Sequence, residues 1–158
     1  MTIHDFKTSL DRVVPEEKRL DEYLRKKGWS VTYVNLTDQR RGIDRVIERP
    51  DELTTVEYKV DYKAEKTGNA YIETVSVSRP FKLGWVKTCQ ADWILYTVIG
   101  PESSVLWLRP DELLKNLSEW QETCRTVRCQ NINYWGEGVL VPLAEVRNVA
   151  AMEECLDA

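Results

Sequence analysis

Residues 42–61 read GIDRVIERPDELTTVEYKVD. Two runs rich in β-branched and aromatic residues, Ile43–Glu48 and Thr54–Tyr62, flank Arg49-Pro50-Asp51-Glu52, which predicts two strands joined by a turn. Side chains alternate across a strand, so Glu57, Lys59 and Asp61 share one face and Val56, Tyr58 and Val60 take the other, the core face. Pro50 forbids the positive φ that a type I′ hairpin needs at its first position. A four-residue loop around a type I turn accepts Pro followed by Asp. That loop pairs Glu48 with Leu53 and sets Asp44 opposite Glu57, with Cβ atoms roughly 5 Å apart.

Like charges directly opposite one another destabilise a strand pair, and a divalent cation reverses the penalty. Hard Mg²⁺ takes one or two carboxylates and keeps its other positions for water and phosphate oxygens. Lys59, roughly 7 Å along the strand from Glu57, comes within reach of a phosphate or an attacking water, the parts needed for metal-assisted phosphodiester hydrolysis. The competing reading is a solvated face of charges, with Asp44 and Glu57 screened by Arg and Lys neighbours.

Outward from this hairpin, Pro15-Glu16-Glu17 suits the first turn of a helix, since proline fits the first helical position and acidic residues the first turn. Leu20, Tyr23, Leu24 and Lys27 follow at helical spacing up to Gly28. Strands are predicted over 29–36, 71–78, 93–99, 105–108, 126–129 and 138–141. A short helical segment is predicted around 85–90, and helices from Pro110, with an apolar stripe of Leu113, Leu114, Leu117 and Trp120, and over 143–152. The expectation is one α/β domain over 1–158, helix first, around a mixed β-sheet flanked by helices.

Bulk properties bound the function. Apolar residues make up 42% and charged residues 30% of the 158, as in ordinary globular domains. No apolar run approaches the roughly 20 residues of a spanning helix, and the polar N-terminus lacks a signal-peptide core. A cytoplasmic protein without a membrane association is expected. Cys89, Cys124, Cys129 and Cys155 form no CxxC pair and read as reduced thiols. His4 is the one histidine, near a terminus and read as a surface residue, so a His-based triad or cage is excluded. Net charge is −4, yet residues 1–90 hold 17 Lys/Arg against 15 Asp/Glu while 91–158 hold 5 against 11. The basic excess lies in the half with the hairpin, and local fields outweigh net charge for steering.

The motif Gly-Ile-Asp44 followed by Glu57-Tyr58-Lys59 resembles the PD-(D/E)XK nuclease superfamily, with Ile43 standing where the pattern has proline and the ligand untouched. The order helix, strand, Asp strand, E-x-K strand is similar too. EKRLDEYLRKKGWSVTYV (17–34) with the hairpin resembles the front half of archaeal Holliday-junction resolvases; the resemblance covers residues 16–61. It implies a restriction-endonuclease-like fold and a Mg²⁺-dependent endonuclease (Mn²⁺ substituting) that hydrolyses DNA phosphodiesters, with branched or structured DNA as a substrate class. By the same resemblance Asp44, Glu57 and the Tyr58 carbonyl are metal ligands. Lys59 positions or activates water, and Glu17 acts through water as an outer ligand. Many members are dimers, so a homodimer is among the expectations. A catalytically inactive relative serving as a DNA-binding or assembly module is the alternative.

Side candidates carry milder expectations. Glu73 is read either as an added carboxylate or as solvent-facing, and Asp61 as a second-metal ligand or a strand-end residue. Thr67-Gly68-Asn69 reads as a turn, Trp85 and Trp93 as core or interface. Arg40, Arg41, Lys63, Lys66, Arg79, Lys82 and Lys87 flank the hairpin as candidate phosphate contacts.

Overall fold

The computed structural model describes residues 6–157, with side chains from Pro15 onward; His4 lies outside the described residues. The first helix, α1, spans Phe6–Lys26 and carries Pro15 in its interior. The expected start at Pro15 is therefore corrected: the helix tolerates the one i→i−4 bond that a proline cannot donate. Its end is as expected. Gly28 adopts φ +91°, Gly28 N donates to Arg25 O and Trp29 N to Leu24 O, both at 3.0 Å, which is the Schellman closure that favours glycine.

Strand β1 (Ser30–Tyr33) is shorter than the expected 29–36. Asn35 ends it by capping a short helix, α2 (Leu36–Arg40), its side chain accepting from Asp38 N at 2.9 Å. Then come β2 (Arg45–Arg49) and β3 (Glu52–Asp61). They pair antiparallel with Glu48 opposite Leu53, the expected register. The loop is tighter than expected: Arg49 also pairs with Glu52, leaving Pro50-Asp51 as a two-residue connection. No described non-glycine residue has positive φ, so the turn obeys the constraint that Pro50 imposes without being a primed type.

After β3 follow α3 (Ala64–Thr67), β4 (Asn69–Ser78), β5 (Phe81–Leu83), α4 (Trp85–Thr88), β6 (Trp93–Val98) and β7 (Ser104–Leu108). The chain ends with α5 (Pro110–Thr123), β8 (Arg125–Gln130), β9 (Trp135–Pro142), α6 (Leu143–Val149) and β10 (Met152–Cys155). The helix expected over 143–152 thus stops at Val149, because Met152–Cys155 pairs with β7. The fold is mixed α/β with the N-terminal helix first, as expected, but the strands form two sheets instead of one. A six-stranded sheet has the order β1-β2-β3-β6-β7-β10, and an antiparallel four-stranded sheet the order β5-β4-β9-β8. Within the larger sheet β3 and β6 run parallel and every other pair is antiparallel.

Both faces of the larger sheet are covered, which is why β6 (WILYTV) is apolar almost throughout. One core joins α1 to Ile47, Val56, Tyr58, Leu95, Val105 and Trp107. The other lies between the two sheets and joins Ile94, Tyr96 and Leu108 to Ile72, Val139 and the α5 residues Leu113, Leu117 and Trp120. Leu114, expected in that stripe, is 44% exposed. Among the described residues no helix is long and apolar enough to cross a membrane.

Candidate functional site

The register of β2 and β3 decides where the carboxylates meet. Arg45 pairs with Val56, and Asp44, one residue before β2, donates its N–H to Val56 O at 2.8 Å. Asp44 thus lies just outside the ladder, against Val56 instead of in the expected direct pair with Glu57, and it is its side chain that reaches the Glu57 carboxyl. Asp44 Oδ2 accepts from Tyr58 N at 2.7 Å. A residue's N–H and C=O leave a strand on the same side, so the Tyr58 carbonyl also points toward the Asp44 side.

Val56 and Tyr58 face α1, and Glu57 and Lys59 face the space between the sheets. Glu57 is only 6% exposed. Its Oε1 pairs with Lys59 Nζ at 2.8 Å, while its Oε2 is buried without a hydrogen-bond partner, the one carboxylate oxygen so placed among the described residues. Burial raises the Glu57 carboxyl to about 7; the Lys59 ammonium opposes this and the Asp44 carboxylate adds to it. On Lys59, burial pulls the pKa down, but the Glu57, Asp44 and Glu73 carboxylates together outweigh it, Glu57 most, and the net shift is upward.

Glu17, half-buried on α1, is raised first by burial and next by the Asp44 charge, which brings it into the electrostatic neighbourhood of the pair. Glu73 on β4 faces the same space from the other sheet. Burial raises it, while Lys59 and the Trp85 backbone N–H hold it down. An open cleft of about 480 Å³ connects Glu57, Lys59 and Glu73 to solvent, lined also by Gln39, Arg40 and Trp85 among others. A smaller cavity of about 160 Å³, lined by Trp29, Trp93, Trp107 and Arg49, lies at the Pro50 end of the hairpin, apart from these carboxylates.

The sequence-derived residues thus separate into two groups. Asp44, Glu57 and Lys59 come together, with Glu17 and Glu73 within electrostatic reach of them. Asp61 does not: its Oδ1 accepts from Lys63 N and Ala64 N, both at 2.8 Å, and its Oδ2 takes the Tyr96 hydroxyl. It holds α3 and the β4 sheet in place, and the second-metal role is set aside. Of the flanking cations, Arg40 and Lys82 line the cleft, and Arg41 is drawn to Asp38 at 3.9 Å.

Asp21 is the functional neighbour that the sequence reading missed. It is 1% exposed and accepts from Arg45 Nε (3.0 Å) and the Tyr58 hydroxyl (2.7 Å). Arg45 Nη1 in turn donates to Asp44 O at 2.9 Å. The signal was present: Asp21 sits four residues after Glu17, between Leu20 and Leu24, on the apolar face of the helix.

Asp44, Glu57 and the Tyr58 carbonyl offer only oxygen donors, the set that suits a hard divalent cation. The unpartnered Glu57 Oε2 beside a second carboxylate is the feature that fits one: two acceptors need a proton or a cation between them. Among the described residues no three His, Cys, Asp or Glu side chains form a larger cluster. No family model, curated protein or solved structure matches the chain.

Proposed function

We propose that this chain is a divalent-metal-dependent endonuclease that hydrolyses DNA phosphodiesters, with Asp44, Glu57 and the Tyr58 carbonyl holding Mg²⁺ or Mn²⁺. The observation that carries the reading is the buried, unpartnered Glu57 Oε2 facing Asp44. A fold built around a solvated charge face has no reason to bury that oxygen. The helix-first order, the antiparallel β2–β3 hairpin with Asp44 just before β2, and the parallel β3–β6 pair also support it, in line with the PD-(D/E)XK resemblance.

A divalent cation bound there supplies Lewis acidity toward a phosphoryl oxygen and lowers the pKa of water. Lys59 holds a positive charge beside Glu57 and orients the attacking water or the scissile phosphate. Glu17, at the Asp44 side, acts as an outer hydrogen-bond acceptor. The Lys59–Glu57 ion pair favours a second reading, an inactive relative that binds DNA, because the lysine already neutralises one carboxylate.

Incubation with linear, single-stranded and four-way-junction DNA plus Mg²⁺ or Mn²⁺ tests the reading. Metal-dependent cleavage is expected, falling at least about 100-fold in Asp44→Ala and Lys59→Ala, within the range for a lost catalytic group. Cleavage that survives in both variants marks a contaminant and overturns the assignment. Salt-sensitive binding without cleavage moves the protein to the second reading.

A further inference from the structure

Glu57 and Lys59 line a recess, and its lining bears on what can reach them. Glu57 is 6% exposed and the Lys59 side chain 28%. One wall is formed by Lys82 and Leu83 of β5 and by Trp85; the other by Gln39, Arg40 and Gly42. The Trp85 ring is fixed in place. Gly84, which precedes it, lies so close to β4 that a Cβ would stand 2.2 Å from Glu73 O, and Gly84 N donates to Thr74 O at 2.9 Å. The indole packs at 6.1 Å from the Tyr96 ring and has Lys59 Nζ 5.8 Å from its centre. It is half-buried, so the part not packed on the core lines the cleft, beside the catalytic lysine.

A duplex presents its phosphates on a stiff, convex backbone with its bases turned inward, and offers no ring to a recessed indole. It is bound by rows of cations, whereas the exposed cations lining this cleft are Arg40 and Lys82. A single strand is flexible enough to follow a recess, and its unstacked bases pack on aromatic side chains.

Building on the nuclease reading, we infer that the cleft takes unpaired DNA: the scissile phosphate descends to Lys59 and Glu57 while an adjacent base stacks on Trp85. Leu83 of β5, 41% exposed, gives that base a second apolar contact. Three phosphate contacts, through Arg40, Lys82 and Lys59, correspond to a slope of log K on log salt near −2, taking about −0.7 per contact on single strands.

The test uses one fluorescein-labelled sequence as a single strand, a perfect duplex and a duplex with a central unpaired bubble. Binding is read by anisotropy in Ca²⁺ and cleavage in Mg²⁺. The single strand is expected to bind at least about 10-fold tighter than the duplex, with cleavage confined to the single strand and the bubble. Trp85→Leu, which keeps an apolar side chain on the core, is expected to weaken single-strand binding about 10-fold, the effect of one lost base–aromatic stack. Quenching of wild-type tryptophan fluorescence by the single strand but not by the perfect duplex reads the stack without the variant. Equal binding and cutting of the perfect duplex overturns this inference and leaves the nuclease reading intact. Trp85-dependent single-strand binding with no cleavage does the reverse. Failure of all three DNAs to bind overturns the inference.

Discussion

On the α1 side of β3, Asp21 and Arg45 are 1% and 5% exposed, and their polar atoms are matched to partners. Asp21 takes the Arg45 guanidinium and the Tyr58 and Tyr33 hydroxyls, and Arg45 lies between the Tyr33 and Tyr58 rings at 3.9 and 5.1 Å. On the opposite side Glu57 is buried almost as deeply, yet one of its oxygens has no donor and its neighbour Asp44 is another carboxyl. One strand therefore buries charge in two ways. The closed side is a satisfied ion pair that fixes α1 and, through Arg45, the backbone at Asp44. The open side leaves an acceptor unmet, an arrangement that costs stability and makes sense at a site completed by a ligand.

The largest effect is expected from opening the closed side. Asp21→Asn leaves the Arg45 guanidinium buried without its counter-ion, and loss of one partner from a buried pair costs about 3–5 kcal/mol. Urea denaturation measures it. Replacing both partners, Asp21→Leu with Arg45→Met, is expected to cost much less, because no charge is stranded. A single substitution that costs under about 1 kcal/mol would show that the two sides do not differ as described.

The open side is expected to respond with the opposite sign. The folded state raises the Glu57 carboxyl from 4.5 to about 7, so it binds that proton more tightly than the unfolded chain does. The stability this contributes is complete below pH 4.5 and is lost as pH rises through 7. Glu57→Gln does not titrate. Relative to wild type it is therefore expected to gain on the order of 3 kcal/mol between pH 4 and pH 8, at about 1.36 kcal/mol per pKa unit. A pH-independent difference between the two proteins breaks the comparison.

A cation is expected to replace that proton. At pH 8, Mg²⁺ at 100 times its Kd stabilises the fold by about 2.7 kcal/mol, seen as a rise in Tm that Asp44→Asn abolishes. Below pH 7 the Glu57 proton competes, so affinity falls up to about tenfold per unit, following one proton displaced per ion. Calorimetric titration with Mg²⁺ at pH 6 and pH 8 measures the ratio.

Much of this contrast could be read from residues 42–61 alone. Alternation separated Tyr58 from Glu57 and Lys59, and the ladder keeps the expected phase, with Glu48 opposite Leu53; it ends at Arg45, so Asp44 meets Glu57 through its side chain and not as a strand pair. The two-sheet arrangement was not legible, because nothing in the period of β4 or β9 says which strands they join. Asp61 shares the face of Glu57 but sits at the strand end, where local backbone N–H groups claimed it. Trp85, read as core or interface, packs on the core and also lines the cleft. Asp21 was not singled out despite its place on the apolar face, since its partner Arg45 is 24 residues away and the pairing exists only once α1 lies on the sheet.

The smallest predicted effect tests how far the closed side extends. Tyr33 belongs to the network through its hydroxyl, 3.1 Å from Asp21 Oδ2, and through its ring against Arg45. Unlike Asp21 it is 60% exposed, so water replaces the hydroxyl's bond when it is lost. Tyr33→Phe keeps the ring and is expected to cost about 0.5 kcal/mol, the low end for one hydrogen bond. Tyr58→Phe removes a buried hydroxyl from the same carboxylate and is expected to cost about 1.5 kcal/mol or more, the range for bonds to charged groups. If the two variants cost the same, the network's strength lies in the Asp21 charge alone and burial does not grade its bonds. If they differ threefold, Tyr58 is the member that ties the helix to the strand, and the rigidity beneath Asp44 and Glu57 comes through it.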